Sequence, residues 1–182
     1  ADAVGPMADD DRTVQRRGRS LRAEVIGSPP QYGRIRSVQL SAGRFYTQSE
    51  ERSGRNACVI GATVATELFP AVSPLGKELK LGAVPCTVVG VQEKQGDSML
   101  GGPGSPDERV LVPFRTYDKV FGVNRRWGVE VMVKVRPGVS MDRAEDELTG
   151  ILRTARDVPP GARNNFAING QQQRRASFTG TR

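Results

Sequence analysis

Val129-Glu130-Val131-Met132-Val133-Lys134-Val135 leads through Arg136-Pro137-Gly138 to Ser140, and then to an unbroken run from Met141 to Arg156. In the first part the valines take every second position, with Glu130, Met132 and Lys134 between them. That period of two predicts a strand with one buried face. In the second part Met141, Ala144, Leu148, Ile151, Leu152 and Ala155 line one side of a 3.6-residue repeat, which predicts an amphipathic helix over Met141–Arg156. Ser140 is placed to cap it, and Asp142, Glu145, Asp146 and Glu147 suit the positive end of the helix dipole. Pro159-Pro160-Gly161 ends it. Strand, turn and helix in direct succession mean that the chain mixes both element types.

Working outward, Phe166-Ala167-Ile168 reads as a last short strand, and Gln171–Gln173 with the arginines beyond as tail. Toward the amino terminus, Phe114–Phe121 is a short helix behind the strand Val110-Leu111-Val112. The stretch from Gly96 to Pro106 carries Gly96, Gly101, Gly102, Pro103, Gly104 and Pro106, a composition that predicts a mobile loop. Glu78–Leu81 and Cys86–Val91 flank Gly82-Ala83-Val84-Pro85 as a hairpin. Ala57-Cys58-Val59-Ile60 is a buried-type strand closed by Gly61, followed by a helix from Ala62 to Phe69. Near the start, Leu21, Ala23 and Val25 alternate with Arg22 and Glu24 as a strand that Ser28-Pro29-Pro30 terminates.

Composition excludes several kinds of chemistry. The 182 residues contain no histidine, so imidazole triads and imidazole metal sites are ruled out. Two cysteines, Cys58 and Cys86, are too few for a disulfide scaffold or a four-thiolate zinc site. Gly76-Lys77 lacks the upstream glycine and the following hydroxyl of a phosphate-binding loop, having Ala71 and Glu78 instead. Gly101–Gly104 lacks dinucleotide-turn spacing. Asp9-Asp10-Asp11 are consecutive, so their side chains diverge, and the acidic residues after Ser140 are explained by the helix dipole. No catalytic, cofactor-binding or metal-binding residue is predicted, and the chain reads as non-enzymatic.

Charge is the one unusual quantity: 27 Lys and Arg against 20 Asp and Glu, a net of +7. The arginines gather at Arg12, Arg16, Arg17, Arg19 and Arg22 and at Arg174, Arg175 and Arg182. A basic nucleic-acid-binding module is the alternative this raises. The ten aromatic residues do not interleave with either basic cluster as base stacking requires, so a solvated arginine-rich surface is the preferred reading. No apolar run reaches the ~18–20 residues of a membrane helix.

A series of short landmarks runs along the chain in order. They are Glu24-Val25-Ile26-Gly27, Pro30-Gln31-Tyr32, Leu40-Ser41-Ala42-Gly43-Arg44-Phe45-Tyr46, Val59-Ile60-Gly61, Glu67-Leu68-Phe69-Pro70, Pro74-Leu75-Gly76-Lys77, Thr87-Val88-Val89-Gly90-Val91 and Val110-Leu111-Val112-Pro113. Together they resemble the MacB-like periplasmic core domain of ABC transporter permeases, a group that includes FtsX-like and LolC/LolE-like permeases. Cys58 and Cys86 depart from the apolar residues more usual there.

The resemblance implies an α+β fold. A porter-like α/β subdomain would be built from both chain ends, 1–40 plus 124–182, with its first strand and helix missing. A β-rich, Sabre-like subdomain, 41–123, would be inserted between them. It also implies a non-catalytic domain on the periplasmic face of the bacterial inner membrane, coupling ATP-driven transmembrane motion to substrate export or lipoprotein extraction. The implied partners are permease helices outside this chain, a second permease copy in a dimer, a cytoplasmic ATPase and a periplasmic adaptor, with no nucleic acid and no cofactor. The two cysteines are expected as free buried thiols, with an extracytoplasmic disulfide as the alternative.

Overall fold

The computed structural model describes residues 3–96, 105–123 and 130–169. Two compact units are present, the larger from Ala3 to Lys134 and the smaller built on the segment from Val135 onward.

The larger unit is organised by one long strand. Strand β1 (Ala3–Arg16) turns through Arg17-Gly18 into β2 (Arg19–Ser28), with Ala8 opposite Gly27 and Arg16 opposite Arg19. Arg17 and Gly18 both have positive φ, 45° and 80°, the geometry of a two-residue hairpin turn that matches strand twist. Further strands are β3 (Leu40–Gly43), β4 (Ala57–Ile60), β5 (Glu78–Leu81), β6 (Val84–Gln92), β7 (Arg109–Pro113) and β8 (Glu130–Lys134). Hydrogen bonding runs β2-β7-β4-β6-β5-β1, and β1 pairs back onto β2, so six strands close into a ring. β3 and β5 lie end to end on one edge of β6. β8 pairs with the first residues of β1, Ala3 opposite Lys134 and Met7 opposite Glu130.

Burial explains the composition of the strands. The ring's interior gathers Val14, Val25, Cys58, Ile60, Leu79, Leu81, Cys86, Val88, Val110 and Val112. Helix α3 (Ala62–Leu68) adds Val64 and Leu68, and α4 (Phe114–Phe121) adds Tyr117. On the other side of the same strands, Ile26, Ala57, Val59 and Leu111 pack with Tyr32 of α1 (Tyr32–Ile35) and with Tyr46. Strands β4 and β7 are therefore covered on both faces, which is why their sequences are continuous apolar runs rather than alternations. Val25 and Ala23 share a core with Val88 and Val110, so strands from both sides of the boundary drawn at residue 40 belong to one sheet.

Helix α2 (Gln48–Ser53) is held by a capping box. The Thr47 hydroxyl accepts from the Glu50 amide, and the Glu50 carboxylate accepts from the Thr47 amide at 2.8 Å. Arg44 donates to both oxygens of the same carboxylate, each at 2.8 Å, while Glu50 itself is buried. These bonds, led by Arg44, hold the Glu50 pKa down at about 2.

In the smaller unit, helix α5 (Met141–Ala155) starts where the sequence places it, with the Ser140 hydroxyl accepting from the Arg143 amide. Its apolar stripe is less covered than expected: Ala144 is buried, Leu148 is half-buried and Ile151 is 55% exposed. Residues 166–168 do not form the expected strand. Arg153 donates to the carbonyls of Pro159 and Ala162, and Arg156 to that of Asn165, so arginine donors take backbone acceptors in this stretch. Val129, Gly101–Gly104 and the Gln171–Gln173 tail lie outside the described residues, as does most of the expected loop.

Candidate functional site

The feature that most constrains function is the division of labour along β1. Residues 3–7 pair with β8, whereas residues 8–16 pair with β2, and Val14 and Gln15 also pair with β5. One uninterrupted strand thus joins the β8 ladder to the closed ring. Gly5 lies in the first part and allows a close approach there: a Cβ at that position would sit 2.5 Å from the Pro29 ring. Position 5 is thereby locked against the segment that follows β2.

Beside this junction an open cleft of about 580 Å³ is lined by Met7, Asp9, Asp10 and Arg12 of β1, Tyr117 and Phe121 of α4, and Glu130 of β8. Tyr117 and Phe121 stack at 5.2 Å between ring centroids, and the Arg12 guanidinium lies 4.9 Å from the Phe121 ring centroid. Arg12 also pairs with Asp10 at 2.7 Å. Burial raises the Tyr117 phenol above its ordinary range, so it stays protonated at neutral pH. The lining offers aromatic surface, carboxylates and the Arg12 guanidinium.

The three consecutive aspartates diverge as alternation requires. Asp10 pairs with Arg12, and Asp11 faces Arg22 at 3.6 Å from the other side of the strand. Among the described residues no group of three or more Cys, Asp or Glu is arranged to hold a metal. Arg16 and Arg19 of the amino-terminal cluster have specific protein partners. Arg16 donates to the Leu68 carbonyl and stacks on Phe69, while Arg19 donates to the Glu67 carbonyl. Both neutralise the negative end of α3 and pin the hairpin tip to it. This is a structural use of charge and gives no support to a nucleic-acid surface.

Asp107 is a polar anchor that sequence reasoning missed. It is buried, and its two carboxylate oxygens accept from the amides of Gln95 and Gly96 at 2.9 and 3.0 Å. Its own amide donates to Ser105. The signal available was Ser105-Pro106-Asp107, a serine cap with proline in the first turn. Cys58 and Cys86 are both buried, with no bond between them in this structure.

Comparison with known proteins agrees with this architecture. Residues 1–151 match the family described as MacB-like periplasmic core domain. The macrolide export ATP-binding/permease protein MacB of Bdellovibrio bacteriovorus is 30% identical over 157 residues, covering 86% of this chain and 23% of that protein. The probable syringafactin export ATP-binding/permease protein SyfD of Pseudomonas syringae pv. tomato is 25% identical over 154 residues, 83% of this chain and 22% of that protein. The chain thus spans about a quarter of the length of these relatives. Among solved structures, the periplasmic region of MacB from Actinobacillus actinomycetemcomitans superposes with a TM-score of 0.71 at 21% identity, covering 85% of this chain and 67% of that one. The extracellular domain of the transporter YknZ from Gram-positive bacteria gives 0.68 at 23% identity, covering 85% and 75%. With an α+β fold shared with those domains and a family match over most of its length, the chain belongs to the MacB-like periplasmic core domain family of ABC transporter permeases.

Proposed function

We propose that this domain is the non-catalytic, extracytoplasmic lever of a permease, carrying motion from ATP-driven transmembrane helices to substrate export or lipoprotein extraction. The observation that carries the reading is the continuity of β1. A displacement applied where β1 meets β8 is delivered along the same strand to β2 and β5, because hydrogen-bonded ladders resist shear between neighbours. In this reading residues 41–123 are the inserted Sabre-like part and residues 1–40 with 124–182 the porter-like part, and β1 and β2 of the latter complete the ring. A second permease copy, a cytoplasmic ATPase and a periplasmic adaptor complete the assembly, and the export functions named for the MacB and SyfD relatives are the model for its task.

The test is to lengthen the lever without disturbing its faces. Two glycines inserted between Met7 and Ala8 preserve the alternation of side chains but soften the link between the two ladders. In the full-length permease the expected outcome is retained ATP hydrolysis with export reduced at least about tenfold, a coupling loss of ~1.4 kcal/mol or more. Export at the unmodified rate, with the insertion verified and the protein folded, overturns the reading.

A further inference from the structure

Cys58 and Cys86 are brought together by the fold and have no role in the lever. They sit on β4 and β6, which are adjacent parallel strands. Cys58 lies opposite Val88, and Cys86 is two positions earlier on β6, so both side chains point to the same face of the sheet. Both are 0% exposed and belong to one interior cluster. The register shifts immediately after Cys58, where β6 carries one extra residue, Val89, between the partners of Cys58 and Val59. Burial first, and then the adjacent Cys86, push the Cys58 thiol well above its ordinary range.

We propose that Cys58 and Cys86 are a disulfide-forming pair, closed by thiol–disulfide exchange while the domain folds outside the cytoplasm. This rests on the extracytoplasmic reading, since only an oxidising compartment sustains such a bond. The oxidant is an external disulfide, a protein or a small molecule. One cysteine, as its thiolate, attacks a sulfur of that disulfide and forms a mixed disulfide, releasing the first oxidant thiol. The second cysteine then attacks the protein sulfur, forming the Cys58–Cys86 bond and releasing the second thiol. The two protons lost by the cysteines end on the two released thiols, and the oxidant is reduced by two electrons.

Timing follows from burial. In the closed ring neither sulfur meets solvent, and a thiolate is disfavoured there, so exchange takes place before the ring closes. Once the ring is shut, whichever redox state was set persists. The bond links β4 directly to β6 and encloses α3 and β5 between its ends.

The test has two arms. The reduced chain is refolded from denaturant into a mixture of oxidised and reduced glutathione, quenched with iodoacetamide in denaturant, and read by intact mass and peptide mapping. The expected result is a monomer with no alkylated cysteine and a linked Cys58–Cys86 peptide pair, whose melting temperature drops by roughly 5–12 °C on reduction. Two alkylated thiols, glutathione caps, or bonds found only between chains overturn the pairing. In the second arm the full-length permease in its native membrane is alkylated under the same denaturing quench. A closed bridge supports the proposal. Two free thiols there, with a bridge in the glutathione arm, overturn folding in an oxidising compartment and hence the placement, leaving the pairing itself standing. The Cys58→Ser and Cys86→Ser chains should each show one alkylated thiol in both arms; a protected remaining thiol would point to another partner and overturn the pair.

Discussion

The ring and helix α5 bury their apolar residues to very different degrees. In the ring, Val14, Val59, Ile60, Leu81, Val88 and Val110 are all 0% exposed. Along α5 the comparable residues are half-covered at best, apart from Ala144, and Ile151 faces solvent. Both regions read as apolar in the sequence, α5 through a periodic stripe and β4 and β7 through continuous runs. The difference shows that periodicity identifies which face is apolar, whereas enclosure depends on how many neighbours the topology supplies. A strand in a closed ring has a neighbour on each side and a packed interior, and β4 and β7 are covered on the outer face as well. A helix with one polar side and one greasy side can be stable through its caps and dipole with the stripe only partly covered.

Core truncation should separate the two regions most sharply. Leu79→Ala or Leu111→Ala removes a side chain that is 1% exposed and should cost about 2–5 kcal/mol in urea denaturation. Leu148→Ala on α5, half-buried, should cost about 1 kcal/mol, and Ile151→Ala less than about 0.5 kcal/mol. A loss at Leu148 equal to that at Leu79 would erase the contrast.

An intermediate effect is expected at Glu50, where the ring's flank is held by polar geometry rather than apolar area. Its folded pKa of about 2 lies below the ordinary 4.5. The carboxylate therefore contributes stability that is complete above about pH 4.5 and is lost as pH falls through about 2. Glu50→Gln should cost about 1–2 kcal/mol near neutral pH, because the amide still closes the capping box but cannot take the bidentate charged pair with Arg44. The difference between variant and parent should shrink on acidification; a gap independent of pH would mean that packing, not charge, anchors α2.

Much of the fold was legible before any coordinates. Hairpin β5–β6, strands β4 and β7, and helices α3, α4 and α5 stand within a residue or two of where periodicity and Pro or Gly punctuation place them, except that β6 begins two residues earlier than expected. Strand β1 was not legible. Its residues 9–12 are Asp-Asp-Asp-Arg, and its burial is concentrated at Val14, so no alternation of apolar residues announces it. What makes it a strand is tertiary: three neighbours, β2, β5 and β8, pair with its backbone. Helix α2 did carry a local signal, Thr47 with Glu50 three residues on, but in so short a segment it is easily passed over. For the functional reading, composition argued against chemistry but did not point to β1, because the mechanical role proposed for that strand would reside in its partners and not in its side chains.

Asp107 has a consequence for how freely this domain can change over time. The chain leaves at Gln95 and Gly96 and returns at Ser105 to the same buried carboxylate, so the two stems are clamped at one point whatever lies between them. Lengthening a loop whose ends are fixed costs only ~0.6 kcal/mol per doubling of its length. Insertions and deletions between those stems are therefore nearly invisible to the ring. Natural variation can accumulate there, and an engineered tag or reporter placed there should leave the ring's packing untouched.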